Sequence, residues 1–254
     1  MRKIFDKLPN WMRTCIRKLV HFFRIHISTI FCSFNLTKLA QIYHTDKWGS
    51  HFYTPNYQFY FCKYKFKRIK LLEIGVGGYD EPDKGGNSLR MWKKYFPFGK
   101  IYSIDIYDKS KLQENRIEIF QGSQVDEQFL ERLMDDIGKP DIIIDDGSHL
   151  NSHVITTFKL LFPHLKNNGI YVIEDTETSY RNRFGGDELN LSNQQTTMNF
   201  FKSFPDRINS MEFHIPDFQS EFFETGLHSI HFYHNLIFVY KNEHLELSSN
   251  FRYN

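Results

Sequence analysis

The sequence predicts an α/β fold, a mostly parallel sheet with helices on both faces and an antiparallel hairpin at its C-terminal end. Three observations carry that expectation. From residue 69 onward short apolar runs alternate with helical stretches, a glycine cluster (Gly75, Gly77, Gly78) follows the first run without a break, and two β-type runs close around His234-Asn235. Strands separated by helices form right-handed βαβ units, whose parallel strands are buried on both faces.

Residues 69–74 (IKLLEI) make the first strand, 88–95 a helix, and 100–106 (KIYSIDI) a second strand ending in an acid. A third strand covers 116–120, followed by a helix over about 126–137, a fourth strand over 141–145 (DIIID), a helix over 154–165 and a fifth strand over 169–174 (GIYVIE). The runs 228–233 and 236–240 flank a tight antiparallel turn. A parallel sheet finished by such a hairpin is the Rossmann-like arrangement of class I methyltransferases, a likeness of fold that does not by itself fix function. Around this body (69–241) the chain divides into a basic amphipathic arm (1–35), a helical cap or lid segment (36–68) and a tail (242–254).

With 254 residues the chain can bury a substantial core without disulfide or metal staples. Apolar residues at 41% and charged residues at 24% exclude a disordered, collagen-like or disulfide-dense chain. The 26 Phe and 14 Tyr set against a single alanine, Ala40, mean that rings and Ile fill the core, a bias that AT-rich codons produce.

The net charge of +2 is a cancellation: residues 1–34 carry +6 and the remaining 220 carry −4. An acidic body excludes a nucleic-acid partner, because polyanion binders concentrate positive charge on the folded domain. The apolar run of the arm is interrupted by Arg24 and two histidines, too short for a spanning helix and without a signal-peptide cleavage site. It suits either peripheral contact with the inner membrane face or packing on the body or on a second copy in a homo-oligomer. Three cysteines (Cys15, Cys32, Cys62), odd in number and without a CxxC pair, fit a reduced, cytoplasmic protein.

The glycine turn after the first strand lets backbone approach a ligand closely, and Asp105 at the end of the second strand is placed to accept hydrogen bonds from ribose hydroxyls. Both features also suit a nicotinamide dinucleotide. In that reading the third glycine position of GxGxxG would fall on Asp80, and Asp80, Glu81 and Asp83 would repel a pyrophosphate. S-adenosylmethionine has no phosphates and carries a positive sulfonium, so it is the preferred cofactor. Cofactor candidates are Glu73, Gly75, Gly77, Ser88, Asp105, Gln121, Gly122, Asp126 and Asp145.

The strongest constellation is Asp145-Asp146-Gly-Ser-His149 after the fourth strand, with Glu174-Asp175 after the fifth. Neighbouring parallel strands would bring these acids together at their carboxyl ends, where a cation relieves their mutual repulsion. Oxygen ligands without Cys or paired His point to Mg²⁺ rather than zinc. With Asp145 on the cofactor side, the metal set is Asp146, Glu174 and Asp175, and His149 is the candidate base. His228, His231 and His234 are set aside as a metal triad, because strand alternation turns His231 away from the other two.

Taken together, HTDKWGSHFYTPNY (44–57), LLEIGVGG, SLRMWKKYFP (88–97), IYSIDIYD, QGSQVD (121–126), IDDGSH (144–149) and IEDTETSY (173–180) resemble the Mg²⁺- and S-adenosylmethionine-dependent sugar O-methyltransferases of the macrolide (mycinamicin and demethylmacrocin) type. The resemblance implies methyl transfer to a hydroxyl of a sugar or glycoside acceptor, a surface polysaccharide or a glycosylated metabolite, with His149 as base and metal on Asp146, Glu174 and Asp175. Segment 44–57 looks like a lid, with Asp46, Lys47, Tyr53 and Tyr57 as contacts over the site, and Arg183 and Asp187 belong to an acceptor loop. A catechol-type acceptor, or a catalytically silent cofactor-binding partner subunit, are the alternatives.

Overall fold

A computed structural model describes residues 34–213 and 226–242, with positions 9, 12–16, 18, 221 and 224 beside them. The expected arm and tail, and Cys32, fall almost wholly outside the described residues. Five strands, β1 (Lys70–Ile74), β2 (Lys100–Asp105), β3 (Ile117–Gln121), β4 (Ile142–Asp145) and β5 (Ile170–Glu174), run parallel. Two more, β6 (Leu227–Tyr233) and β7 (Leu236–Lys241), form the antiparallel hairpin, and β7 pairs with β5. The sheet order is β3-β2-β1-β4-β5-β7-β6, which is the expected class I methyltransferase architecture.

The strands are apolar on both faces because both are covered. One face packs Leu71, Ile101, Ile142, Ile144, Val172 and Phe238 against α1 (Leu36–Tyr43), α2 (Thr54–Phe61) and α3 (Asn87–Tyr95). The opposite face packs Leu72, Ile74, Ile143, Tyr171 and Ile237 against α4 (Glu127–Ile137), α5 (Asn151–Leu161), α6 (Thr197–Lys202) and α7 (Phe204–Ile208). Rings take the place of small residues, as the composition implies: Phe158 alone stacks on Phe162 at 4.7 Å and meets Phe201 and Tyr171 edge-on at 5.0 Å.

Boundaries follow local chemistry. Asn35 caps α1 by accepting from the Lys38 backbone N–H, and Asp126 caps α4 by accepting from that of Phe129. Helix α5 begins at Asn151, three residues before the expected start. There the Asn151 amide bonds the carbonyls of Thr178 and Phe184 and accepts from the Thr197 N–H, tertiary bonds that no local pattern announces. It ends at Leu161 rather than Leu165 because Pro163 tightens the chain into a 3-10 turn. A register shift between Leu227 and Ser229 breaks the alternation of β6, so His228 and His231 line one shallow depression instead of opposite faces.

Candidate active site

The chain order reverses across the sheet between β1 and β4, and at the carboxyl ends of these strands opens a cleft of about 990 Å³. Its floor is the turn after β1. Gly75 has φ +93°, and a Cβ there would lie 2.3 Å from the Asp146 carbonyl oxygen, so glycine lets the turns after β1 and β4 touch. Gly77, at φ +77°, has open space where a Cβ would project. The loop beyond is fixed from below by buried Lys109, whose ammonium donates to the carbonyls of Glu81 (2.7 Å) and Lys84 (3.1 Å).

Asp105 closes one side of the cleft. Its Oδ2 accepts from the Val76 N–H and its Oδ1 from the Tyr107 N–H, both at 2.9 Å, and each oxygen keeps a lone pair for a hydroxyl donor. Ser88, Gly122, Asp46 and Arg183 line the same cleft.

Acids gather on the other side. Alternation along β1 and β5 turns Glu73 and Glu174 toward the α1–α3 layer, where the fully buried Lys47 enters. Its Nζ lies 3.2 Å from Glu73 Oε1, 2.8 Å from Asp146 Oδ2 and 2.6 Å from Glu174 Oε1. Burial would lower this lysine, but Asp146, Glu174 and Glu73 hold its pKa well above the ordinary value. Burial, and then the charge of Asp146, raise Glu174 well above the usual carboxylate range, and burial raises Glu73.

His149, which lines the cleft, and Asp175 beside it both adopt left-handed backbone (φ 57° and 53°), which for non-glycine residues costs roughly 1–2 kcal/mol each. The strain aims His149 Nε2 at the two carboxylates, 4.0 Å from Asp146 Oδ1 and 3.8 Å from Asp175 Oδ2. The expected metal set therefore divides. Asp146, His149 and Asp175 form one cluster of donor atoms, Glu73, Asp146 and Glu174 a second, and Asp146 belongs to both. The carboxylate oxygens of these clusters, of which only those of Asp146 and Asp175 are partly exposed, fit a hard divalent ion.

Several expected contacts are corrected. Asp145 shares the face of Ile143, not the cleft: it accepts from Gln124 (3.3 Å) and Tyr171 (3.5 Å), and burial pushes its carboxyl up to about 7. Glu73 is fully buried, accepting from Ser88 Oγ and Trp92 Nε1, and lies behind the glycine turn rather than in it. Gln121 is exposed and bonds the Ile106 carbonyl, and Asp126 is occupied as the α4 cap. Tyr57 is fully buried, with its hydroxyl 2.5 Å from Glu174, and Tyr53 is 2% exposed, with its hydroxyl on Asp175, so both brace acids instead of meeting an acceptor. Asp187 organises its own loop, accepting from the N–H groups of Leu189 and Asn190 and from the Asn193 amide. Asp80, Glu81 and Asp83, which spoke against a pyrophosphate, face solvent outside the cleft.

Sequence reasoning missed other lining groups. Gln124 links the two sides, its Oε1 accepting from the Ser148 N–H while its amide donates to Asp145 and Thr157. His153 lines the cleft beside Ser148 Oγ, 3.0 Å away. Thr45 is 7% exposed and also lines it, and its hydroxyl has no hydrogen-bond partner among the described residues, an orphan that a bound ligand would satisfy. Gln124 and Thr45 had a sequence signal, their places inside the motif 121–126 and the segment 44–57, and His153 had none.

No protein-family model matches the chain. Over 214 residues it is 44% identical to the mycinamicin VI 2''-O-methyltransferase of Micromonospora griseorubida and 42% identical to the demethylmacrocin O-methyltransferase of Streptomyces fradiae, covering 84% of this chain and 54% of each relative. It is 40% identical, over the same length, to the 8-demethyl-8-(2-methoxy-alpha-L-rhamnosyl)-tetracenomycin-C 3'-O-methyltransferase of Streptomyces olivaceus. The solved structure of the MycE methyltransferase from the mycinamycin biosynthetic pathway, in complex with Mg and SAH, superposes with a TM-score of 0.82 at 43% identity, over 85% of this chain and 56% of that one. The chain thus spans about half the length of the curated relatives it matches.

Proposed function

We propose, from the premise that the chain is a homologue of the sugar O-methyltransferases of the mycinamicin and demethylmacrocin type, that it is an S-adenosylmethionine- and Mg²⁺-dependent O-methyltransferase acting on a hydroxyl of a sugar or glycoside. The observation that carries this reading is the meeting of His149, Asp146 and Asp175, of which His149 and Asp146 line a cleft that starts from a glycine turn and Asp105. When bound, S-adenosylmethionine supplies an electrophilic methyl group and Mg²⁺ a Lewis acid that makes a sugar hydroxyl easier to deprotonate.

The chain's own groups do the rest. Asp105 and the open backbone at Gly77 hold the nucleoside end, and Thr45 and Ser88 line the cleft wall. The metal would be held at Asp146, the acid common to both clusters, with Glu174 and Asp175 on either side of it. His149 takes the acceptor proton at Nε2, where two carboxylates face the positive charge it gains. Arg183 and Asp46 line the acceptor side. Two sequence-level readings accompany this one: a cytoplasmic setting, and docking of residues 1–34 on an anionic membrane face. No described helix is long and apolar enough to cross a membrane.

The decisive experiment incubates the full chain with methyl-labelled S-adenosylmethionine, Mg²⁺ and a panel of rhamnosyl and heptosyl glycosides. Label must appear in a product heavier by one CH₂, disappear with EDTA and return with Mg²⁺. Transfer that is undiminished in EDTA rejects the metal assignment, and absence of transfer to every glycoside rejects the acceptor class.

A further inference from the structure

Each acid assigned to the metal is held from behind by one oxygen. Lys47 Nζ donates to Asp146 Oδ2 at 2.8 Å and to Glu174 Oε1 at 2.6 Å. Tyr57 donates to the same Glu174 oxygen at 2.5 Å, and Tyr53 donates to Asp175 Oδ1 at 2.7 Å. All three donors come from the segment 47–57, ahead of the sheet, and on Asp146 and Asp175 it is the opposite oxygen that faces His149.

These donors are themselves immobile. Lys47 and Tyr57 are fully buried and Tyr53 nearly so. The Tyr57 ring is wedged against Phe61, Trp92 and Phe238 at centroid distances of 4.9, 5.1 and 5.6 Å. Glu174 Oε1, which accepts from both Lys47 and Tyr57, has no lone pair left for an ion, and Asp146 Oδ2 and Asp175 Oδ1 each spend one lone pair on a fixed donor, so two-oxygen engagement of one ion is blocked at Glu174 and restricted in direction at the two aspartates.

That constraint distinguishes two ions of equal charge. Mg²⁺ is small, keeps several waters and binds protein carboxylates through single oxygens, whereas Ca²⁺ is larger, takes more ligands and commonly engages carboxylates through both oxygens. We propose that Lys47, Tyr53 and Tyr57 are positioning residues that set the ion selectivity of this site: by tethering one oxygen of each acid they favour donation through the other oxygen alone, which suits Mg²⁺ and disfavours Ca²⁺. The inference rests on the metal-dependent reading above. The ammonium of Lys47 adds to the effect by offsetting part of the acids' charge, and ligand charge is a main determinant of Ca²⁺ affinity.

The test is calorimetric titration of the metal-stripped full chain with MgCl₂ and with CaCl₂, without cofactor or acceptor, for the wild type and for Tyr53→Phe, Tyr57→Phe and Lys47→Met. Melting temperatures check that each variant is folded, and the phenylalanine variants, which keep their rings, carry the test should Lys47→Met fail to fold. Tyr53→Phe is expected to strengthen Ca²⁺ binding relative to Mg²⁺ by about tenfold or more, the size of effect that partners behind metal ligands commonly have. A merely structural role would weaken both ions alike. A Ca²⁺/Mg²⁺ affinity ratio within about twofold of wild type in folded Tyr53→Phe and Tyr57→Phe overturns the inference while leaving the metal reading intact. A wild type that binds neither ion overturns both.

Discussion

His149 and Asp175 adopt strained backbone where their side chains approach to 3.8 Å, and strained non-glycine residues that the surrounding structure holds in place mark sites of function. His149→Ala is therefore expected to lower turnover roughly a hundred- to ten-thousand-fold, the usual contribution of a general base, while cofactor binding measured by calorimetry stays near wild type. Retained turnover would remove His149 from the mechanism. At this scale the sequence disclosed the acids and the histidine because they crowd into two short segments, 145–149 and 174–175. It placed Lys47 in the lid segment but not among the acids, because Lys47 lies 99 positions from Asp146 and 127 from Glu174 and meets them only through the fold. It did separate Asp145 from Asp146, but it put Asp145 on the cofactor side. Those two neighbours point to opposite sides at the end of β4, one into the layer of Gln124 and Tyr171 and one into the cleft.

Among the elements, α4 and the turn after α5 give the clearest tests. The Asp126 side chain is spent on capping α4, so Asp126→Ala should cost about 1 kcal/mol in chemical denaturation and leave cofactor affinity unchanged. A large loss of cofactor affinity at unchanged stability would restore Asp126 to the cofactor site. His164, in the 3-10 turn that ends α5, is held below its ordinary pKa of 6.5 by burial and then by the charges of Lys241 and Lys139. The native state thus keeps it neutral where the unfolded chain already binds a proton. Its effect on stability is absent above the unfolded pKa and grows as pH falls through 6.5 toward the lower folded value. Melting temperatures measured from pH 7.5 down to 5.5 should fall less steeply for His164→Gln than for wild type, and parallel curves would refute the assignment. Strands were legible because rows buried on both faces read as continuous Ile, Val and Leu. The short helices α6 and α7 were not, because their fit depends on Phe200, Phe201 and Phe204 meeting Phe158 rather than on any long periodicity.

For the molecule as a whole, the segment 36–68 is not a detachable lid but part of the core. Phe61 is fully buried against Tyr57, Trp92, Phe96 and Phe238, which joins α2 to α3 and to the hairpin. Phe61→Ala should cost about 3–5 kcal/mol and loosen the site with it, because Lys47, Tyr53 and Tyr57 lie in the same segment. Unchanged denaturation midpoints would show the segment to be independent. The basic arm calls for a different experiment: full chain and a chain lacking residues 1–34 are compared in co-sedimentation with anionic liposomes, and equal partitioning ends the membrane proposal. Sequence alone determined the sheet, its hairpin, the cofactor turn and the acid-histidine constellation, since each depends on local periodicity or on residues close together in the chain. The tertiary structure decided which oxygen of each acid is free, which of two adjacent aspartates faces the cleft, and that a lysine from the cap lies buried among three carboxylates. Those facts follow from long-range packing, in which the face a side chain presents is set by what covers it.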